Sequence, residues 1–175
     1  VATKSSSYLR APTIVMDVCS VKCYPQQILE ETLPSDVSIV LTHPLFGPQS
    51  GREGISGLPV VIWNLRGGGL EEVRRMFAEQ IWLSILKRDH ETHDKEMARV
   101  QALTHFLSRG LAEMGLQDSK LATKSFLHMY AMQELLREDS WDLFLTIERW
   151  NPYAKEQRRL LLERLQEVEQ RLSEE

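Results

Sequence analysis

In Val37-Ser38-Ile39-Val40-Leu41-Thr42-His43-Pro44-Leu45-Phe46-Gly47-Pro48, a short apolar, β-branched run with the length of a buried strand gives way to a histidine and then to a Gly-Pro turn signal. A histidine therefore stands at a strand's end. Ligands of α/β sheets bind in the crevice beyond the carboxyl ends of the strands, and histidine is the side chain that exchanges a proton near neutral pH. A histidine before proline also suits a plain turn, so position alone leaves both roles open.

Outward from this stretch, Thr13 to Val18 has the β-rich composition of a buried parallel strand, and Pro25 to Thr32 reads as a short helix closed by the Leu33-Pro34-Ser35-Asp36 turn. Leu58 to Trp63 makes a third strand, Arg66-Gly67-Gly68-Gly69 a flexible loop, Leu70 to Ile81 an amphipathic helix, and Leu83 to Leu86 a fourth strand. Short strands alternating with helices predict an α/β layer with a largely parallel sheet. From Asp89 onward the hydrophobic period changes from two to 3.6. Helices are expected at His90 to Glu113, stopped by Gly115, at Leu121 to Arg137, from Ser140, and from Asn151-Pro152 with Asn as N-cap and Pro at the first helical position. In the last, Leu161, Leu165, Val168 and Leu172 fall on one stripe that needs a partner. The expected organisation is α/β over residues 1–88 and all-α over residues 89–175.

Composition narrows the function classes. Hydrophobic content of 42% and charged content of 26% are those of a globular protein, while a net charge of −4 without a basic stripe argues against nucleic-acid binding. No apolar run reaches membrane-span length and no signal-peptide pattern opens the chain. Cys19 and Cys23 are too few for a disulfide framework or a structural zinc site, and free thiols are expected.

Several clusters carry possible chemistry. Asp17-Val18-Cys19-Ser20-Val21-Lys22 places a hydroxyl and an ammonium at a strand-to-helix turn, where Ser20 either caps the helix or, with Lys22, meets an anionic ligand. His93-Asp94, Met97, Gln101 and His105 recur at four-residue steps on the long helix, a polar line opposite apolar Val100, Leu103 and Leu107. That line is either a solvated face or a pocket wall. His90-Glu91-Thr92-His93 is not a His-Glu-x-x-His zinc signature, because Asp94 stands where the second histidine belongs, so no metal is expected.

Taken together, Asp17-Val18-x-Ser20-Val21-Lys22, His43-Pro44-Leu45-Phe46-Gly47-Pro48-x-Ser50-Gly51 and His93-Asp94 with Met97-Ala98, Gln101 and His105 resemble the prephenate/arogenate dehydrogenase family of tyrosine biosynthesis. The resemblance covers about Thr13 to Glu175, and Asp139-Ser140-Trp141-Asp142-Leu143-Phe144 running to Asn151 looks like the plant-type arogenate dehydrogenases. It implies the C-terminal part of a Rossmann-type parallel sheet followed by a helical substrate-binding and dimerisation domain. The implied reaction is an NAD- or NADP-dependent oxidative decarboxylation of arogenate or, alternatively, prephenate, by a homodimer in the cytoplasm or, after loss of a transit peptide, the plastid. His43 matches the family's catalytic histidine, and Ser20 the serine beside it. His105, Gln101 and His93 match substrate-lining positions, and Ser20, Lys22 and Pro44 fall where the cofactor binds. Glu53 matches an acidic position that in plant-type relatives accompanies arogenate use, where it would face the substrate ammonium.

Two departures qualify these implications. The arginine of prephenate-specific relatives has no clear equivalent between Tyr130 and Arg137, with Arg137 a loose match. The family's G-x-G-x-x-G fingerprint is expected before Val1, so the chain is expected to be part of a longer enzyme. A non-catalytic dimeric module with a vestigial cleft is the competing reading from another class. A relative acting on small 3-hydroxy acids is disfavoured by His43-Pro44.

Overall fold

The computed structural model describes residues 4 and 6–174, and the small, polar stretch Val1 to Arg10, expected from its composition to be a loop or a fragment of an element, lies partly outside the described residues. The apolar runs near Thr13 and Val37 form β1 (Ile14–Met16) and β2 (Ser38–Pro44), paired in parallel across α1 (Cys23–Thr32). β3 (Pro59–Arg66) returns antiparallel to β2, and β4 (Ser84–Lys87) runs parallel to β3. Parallel pairing thus holds for two of the three ladders in the described sheet, and the middle one is antiparallel. A parallel return requires a crossover, whereas the segment from Leu45 to Leu58 contains no helix and is closed as a hairpin by the Leu45 N–H donating to the Pro59 carbonyl at 2.9 Å.

Both faces of the sheet are covered, which is why Ile39, Val40 and Leu41 form an unbroken apolar run. Val40, Val60 and Ile62 pack against Val73, Phe77 and Leu83, on and after α2 (Leu70–Arg75) and the wider π-helical turn that extends it (Met76–Gln80). Ile39 and Leu41 pack against Leu29 and Leu33, at and just beyond the end of α1.

The triple glycine is not a flexible loop. Gly67 has φ +77°, and a Cβ there would stand 2.3 Å from Ser38 Oγ; one at Gly69 would stand 2.8 Å from Ile14. Two of the three glycines let the β3–α2 turn lie against β1 and β2.

Chain contacts divide the molecule into a unit ending at Asp94 and a second unit, Lys95–Glu175, a boundary that falls within α3 (His90–Met97). The second unit continues as a π-helical turn (Ala98–Ala102) and α4 (Leu103–Glu113), and Gly115 at φ +72° ends the helical run. It then forms α5 (Lys124–Leu136), α6 (Trp141–Trp150) and α7 (Ala154–Glu174). Thr123 and Ser140 cap α5 and α6 by accepting from the backbone N–H groups of Phe126 and Leu143 at 3.2 and 3.1 Å. Asn151 accepts from the Tyr153 N–H at 2.9 Å, but α7 begins at Ala154 rather than at Pro152. Ala102, Ile147 and Ala154 form this unit's buried core.

On the long helix the expected polarity is inverted. Val100 and Leu107, on the side expected to be buried, are exposed, while His105 and Ser108 are buried. Amphipathic patterning assumes that polar groups seek water, and here tertiary packing buries two of them instead. Leu165, Val168 and Leu172 of the α7 stripe are also more than half exposed. Among the described residues, no helix is long and apolar enough to cross a membrane.

Candidate active site

The first unit holds a cavity of about 480 Å³ at the carboxyl ends of β1 and β2. Ser20 and His43 supply its polar groups, and Val18, Pro44, Phe46, Pro48 and Ile55 give it apolar walls. β2 places His43 on the sheet face shared with Leu41. Ser20 does not cap α1, whose N-cap is Lys22 without a side-chain hydrogen bond, and it lines the cavity instead.

Behind His43 runs a buried polar line. Its Nδ1 lies 2.9 Å from Nε2 of His93, and Nδ1 of His93 lies 2.7 Å from Oδ1 of Asp94. The Asp94 carboxylate also accepts from the backbone N–H groups of Lys22 and Cys23, each at 2.8 Å, so it occupies the N-terminus of α1. Burial works against this charge, but the hydrogen bonds from His93, Cys23 and Lys22 prevail and hold the carboxyl below its ordinary value.

An ionised Asp94 only accepts, which sets the tautomers in sequence. His93 carries its proton on Nδ1, its Nε2 accepts from His43 Nδ1–H, and His43 is left with an unprotonated Nε2. Burial first, then His93 and Lys22, lower the pKa of His43 to about 3, with Asp94 pulling the other way. At neutral pH the ring is a neutral proton acceptor on the cavity wall.

A second buried cluster joins the turn after β1 to β2. Lys22, 1% exposed, is ion-paired with Asp17 and donates to the Thr42 carbonyl at 2.6 Å. Asp17 accepts from the Thr42 N–H at 3.0 Å and from the Cys19 N–H at 3.1 Å, and the Thr42 hydroxyl donates to the Asp17 carbonyl.

The structure redistributes the expected site residues. Ser20, His43 and Pro44 share the cavity. Lys22 was expected to meet an anionic ligand but points inward, and the helix terminus beside it is filled by Asp94. His93 was expected to touch substrate, yet it is 1% exposed with both ring nitrogens engaged, so it acts on His43. Glu53 is exposed and contributes no group to the cavity wall, although the loop that carries it contributes Phe46, Gly51 and Ile55.

In the second unit His105 is buried beside Arg109, Gln133 and Arg137 around a cavity of about 40 Å³, room for about one water. Burial lowers its pKa, while Asp139, whose Oδ2 is 3.8 Å away, raises it and Arg109 lowers it. Gln101 lies on the π-helical turn, its Oε1 buried without a hydrogen-bond partner. Both cysteines are free thiols, Cys19 exposed and Cys23 half-buried.

Asp94 and Thr42 escaped sequence reasoning as functional groups. The available signal for Asp94 was the His93-Asp94 pair itself at the start of a helix.

Residues 1–57 match the family model described as prephenate dehydrogenase, nucleotide-binding domain, and residues 110–175 match the TYRAAT1-like, C-terminal domain. The chain is 35% identical over 164 residues to arogenate dehydrogenase 2, chloroplastic, of Arabidopsis thaliana, covering 90% of this chain and 44% of that protein. To arogenate dehydrogenase 1, chloroplastic, of the same plant it is 33% identical, covering 85% of this chain and 24% of the relative. It therefore spans less than half the length of either relative. The fold is similar to the crystal structure of prephenate dehydrogenase from Aquifex aeolicus, with TM-score 0.69 and 20% identity over 99% of this chain and 66% of that one.

Proposed function

We propose, from the premise that this chain belongs to the prephenate/arogenate dehydrogenase family, that His43 is the proton-accepting group in an NAD(P)-dependent oxidative decarboxylation of arogenate. The observation that carries the reading is the Asp94–His93–His43 line, which leaves one unprotonated imidazole nitrogen for the cavity. A non-catalytic module would have no use for three buried polar side chains aligned behind a cavity wall, since such groups cost stability unless every bond is made.

Ser20 and Pro44, on the cavity wall, are the residues that would meet the nicotinamide end of the cofactor. Lys22 and the N-terminus of α1 do not fit its phosphates, because Asp17, Thr42 and Asp94 already hold them. When bound, oxidised nicotinamide would supply the hydride acceptor.

The chain's own groups do the rest. His43 Nε2 accepts the hydrogen bond of the substrate's ring hydroxyl and holds its proton as the hydroxyl carbon gains carbonyl character. When the ring carboxylate leaves as carbon dioxide, its bonding pair restores the aromatic ring and the oxygen recovers the proton as a phenol. The apolar walls lower the local dielectric and strengthen the polar contacts made by His43 and Ser20. Ser20 orients the hydroxyl. His105 and Gln101 are proposed as substrate contacts on the resemblance alone.

Arogenate is preferred to prephenate because the two Arabidopsis relatives carry that name, and their chloroplastic description favours a plastid site of action. A homodimer is proposed from the exposed apolar positions Val100, Leu107, Leu165, Val168 and Leu172.

The test is nicotinamide reduction followed by absorbance, with arogenate and prephenate and with NAD and NADP, on the longest form of the protein. His43→Asn should lower kcat roughly 10²–10⁴-fold. Equal turnover by the variant and the parent would return His43 to a turn residue.

A further inference from the structure

β1 stops at Met16, two residues short of the register it would need to pair with Thr42, because its ladder with β2 ends at Met16 and Val40. Thr42 would then present an unpaired N–H and C=O at a fully buried position, which is costly. Side chains supply the missing rung. The Asp17 carboxylate takes the Thr42 N–H at 3.0 Å, and the Lys22 ammonium gives to the Thr42 carbonyl at 2.6 Å. Lys22 and Asp17 neutralise each other, with side chains only 2% and 8% exposed. Lys22 holds the peptide that leads into His43, and Asp17 holds the peptide before it.

We propose that Lys22 is a positioning residue for His43, fixing through Thr42 the backbone from which the imidazole projects toward Ser20 and the cavity. The inference rests on the reading of His43 as the proton acceptor. Satisfying the buried Thr42 groups stabilises the strand, and because the Thr42 carbonyl belongs to the Thr42–His43 peptide, the same bond from Lys22 fixes the backbone of His43. Lys22 also adds a field. With His93 it lowers the proton affinity of His43, and Asp94 opposes them. The ionisable groups facing this corner are Asp17, Cys19 and Lys22 from the turn, Cys23 from α1, and His93 and Asp94 from α3.

The experiment is nitrogen-correlated NMR of the histidine rings, with His43 assigned by its loss in His43→Asn, in the chain and its Lys22→Met and Lys22→Arg variants. In parallel, kcat and KM are measured against pH in the longest form. Lys22→Met should raise the His43 pKa and move the acid limb of kcat upward with it. It should also lower kcat at neutral pH at least tenfold while KM stays within threefold, and Lys22→Arg should recover part of each change. Should Lys22→Met not fold, Asp17→Asn combined with Lys22→Met removes both charges, and loss of the single His43 tautomer is then the expected result. An unchanged tautomer, pKa and acid limb in a folded variant overturns the positioning role. If His43→Asn is itself harmless, the failure lies with the reading of His43.

Discussion

His43 and His93 meet nitrogen to nitrogen, Nδ1 to Nε2 at 2.9 Å, with their rings edge to face. The two facing nitrogens cannot both carry a proton without placing hydrogen against hydrogen, so one must accept from the other. Asp94 decides which. Fifty residues separate the two histidines along the chain, yet one carboxylate determines the protonation of the ring at the cavity.

Asp94→Asn should unfold more readily than the parent. An amide cannot accept from His93, Lys22 and Cys23 together without turning its NH₂ toward a donor. A loss of about 3 kcal/mol is expected for a buried, charged hydrogen-bond acceptor, read by urea denaturation. His93→Phe, which removes both ring nitrogens, should lower kcat by one to three orders of magnitude, less than loss of the base itself, with KM nearly constant. A KM effect alone would argue for direct substrate contact.

Acid should weaken the fold through His43. Its folded pKa of about 3 lies below the ordinary imidazole value of 6.5, so between those values the unfolded chain binds the extra proton and the folded chain does not. The His43 contribution is complete above about pH 6.5 and is lost progressively as pH falls toward 3, at up to roughly 1.4 kcal/mol per pH unit. Denaturation midpoints of the parent and His43→Asn, followed from pH 7 to 4, should converge as acid is added.

The three adjacent glycines should differ sharply. Gly67→Ala forces a side chain onto a left-handed residue and against Ser38, and Gly69→Ala drives one into Ile14. Each should cost on the order of 1–3 kcal/mol, whereas Gly68→Ala meets nothing within 4 Å and should be nearly neutral. Equal thermal stability across the three variants would contradict the close packing of this turn.

Leu165→Glu with Leu172→Glu should convert a dimer to a monomer with little change in helix content, because both positions are exposed in the single chain. Sedimentation at micromolar concentration reads the outcome, and a monomeric parent would sink the dimer.

Local signals carried much of this protein. The strands near Thr13, Val37 and Leu58, the helix capped by Ser140, the stop at Gly115 and the place of His43 at a strand's end all follow from short-range periodicity, capping and turn chemistry, which act within a few residues, while a site role for Ser20 came from the family resemblance. The tertiary structure alone decided what the polar side chains do. Lys22 and Asp94 meet across 72 positions, so nothing in the neighbourhood of either could show that one would seal the helix end to which the other belongs. The antiparallel return of β3, the crowding at Gly67 and the burial of His105 on the polar side of its helix have the same origin. Periodicity states which side of an element is apolar, but whether a polar group faces water or a partner depends on what the rest of the chain brings against it.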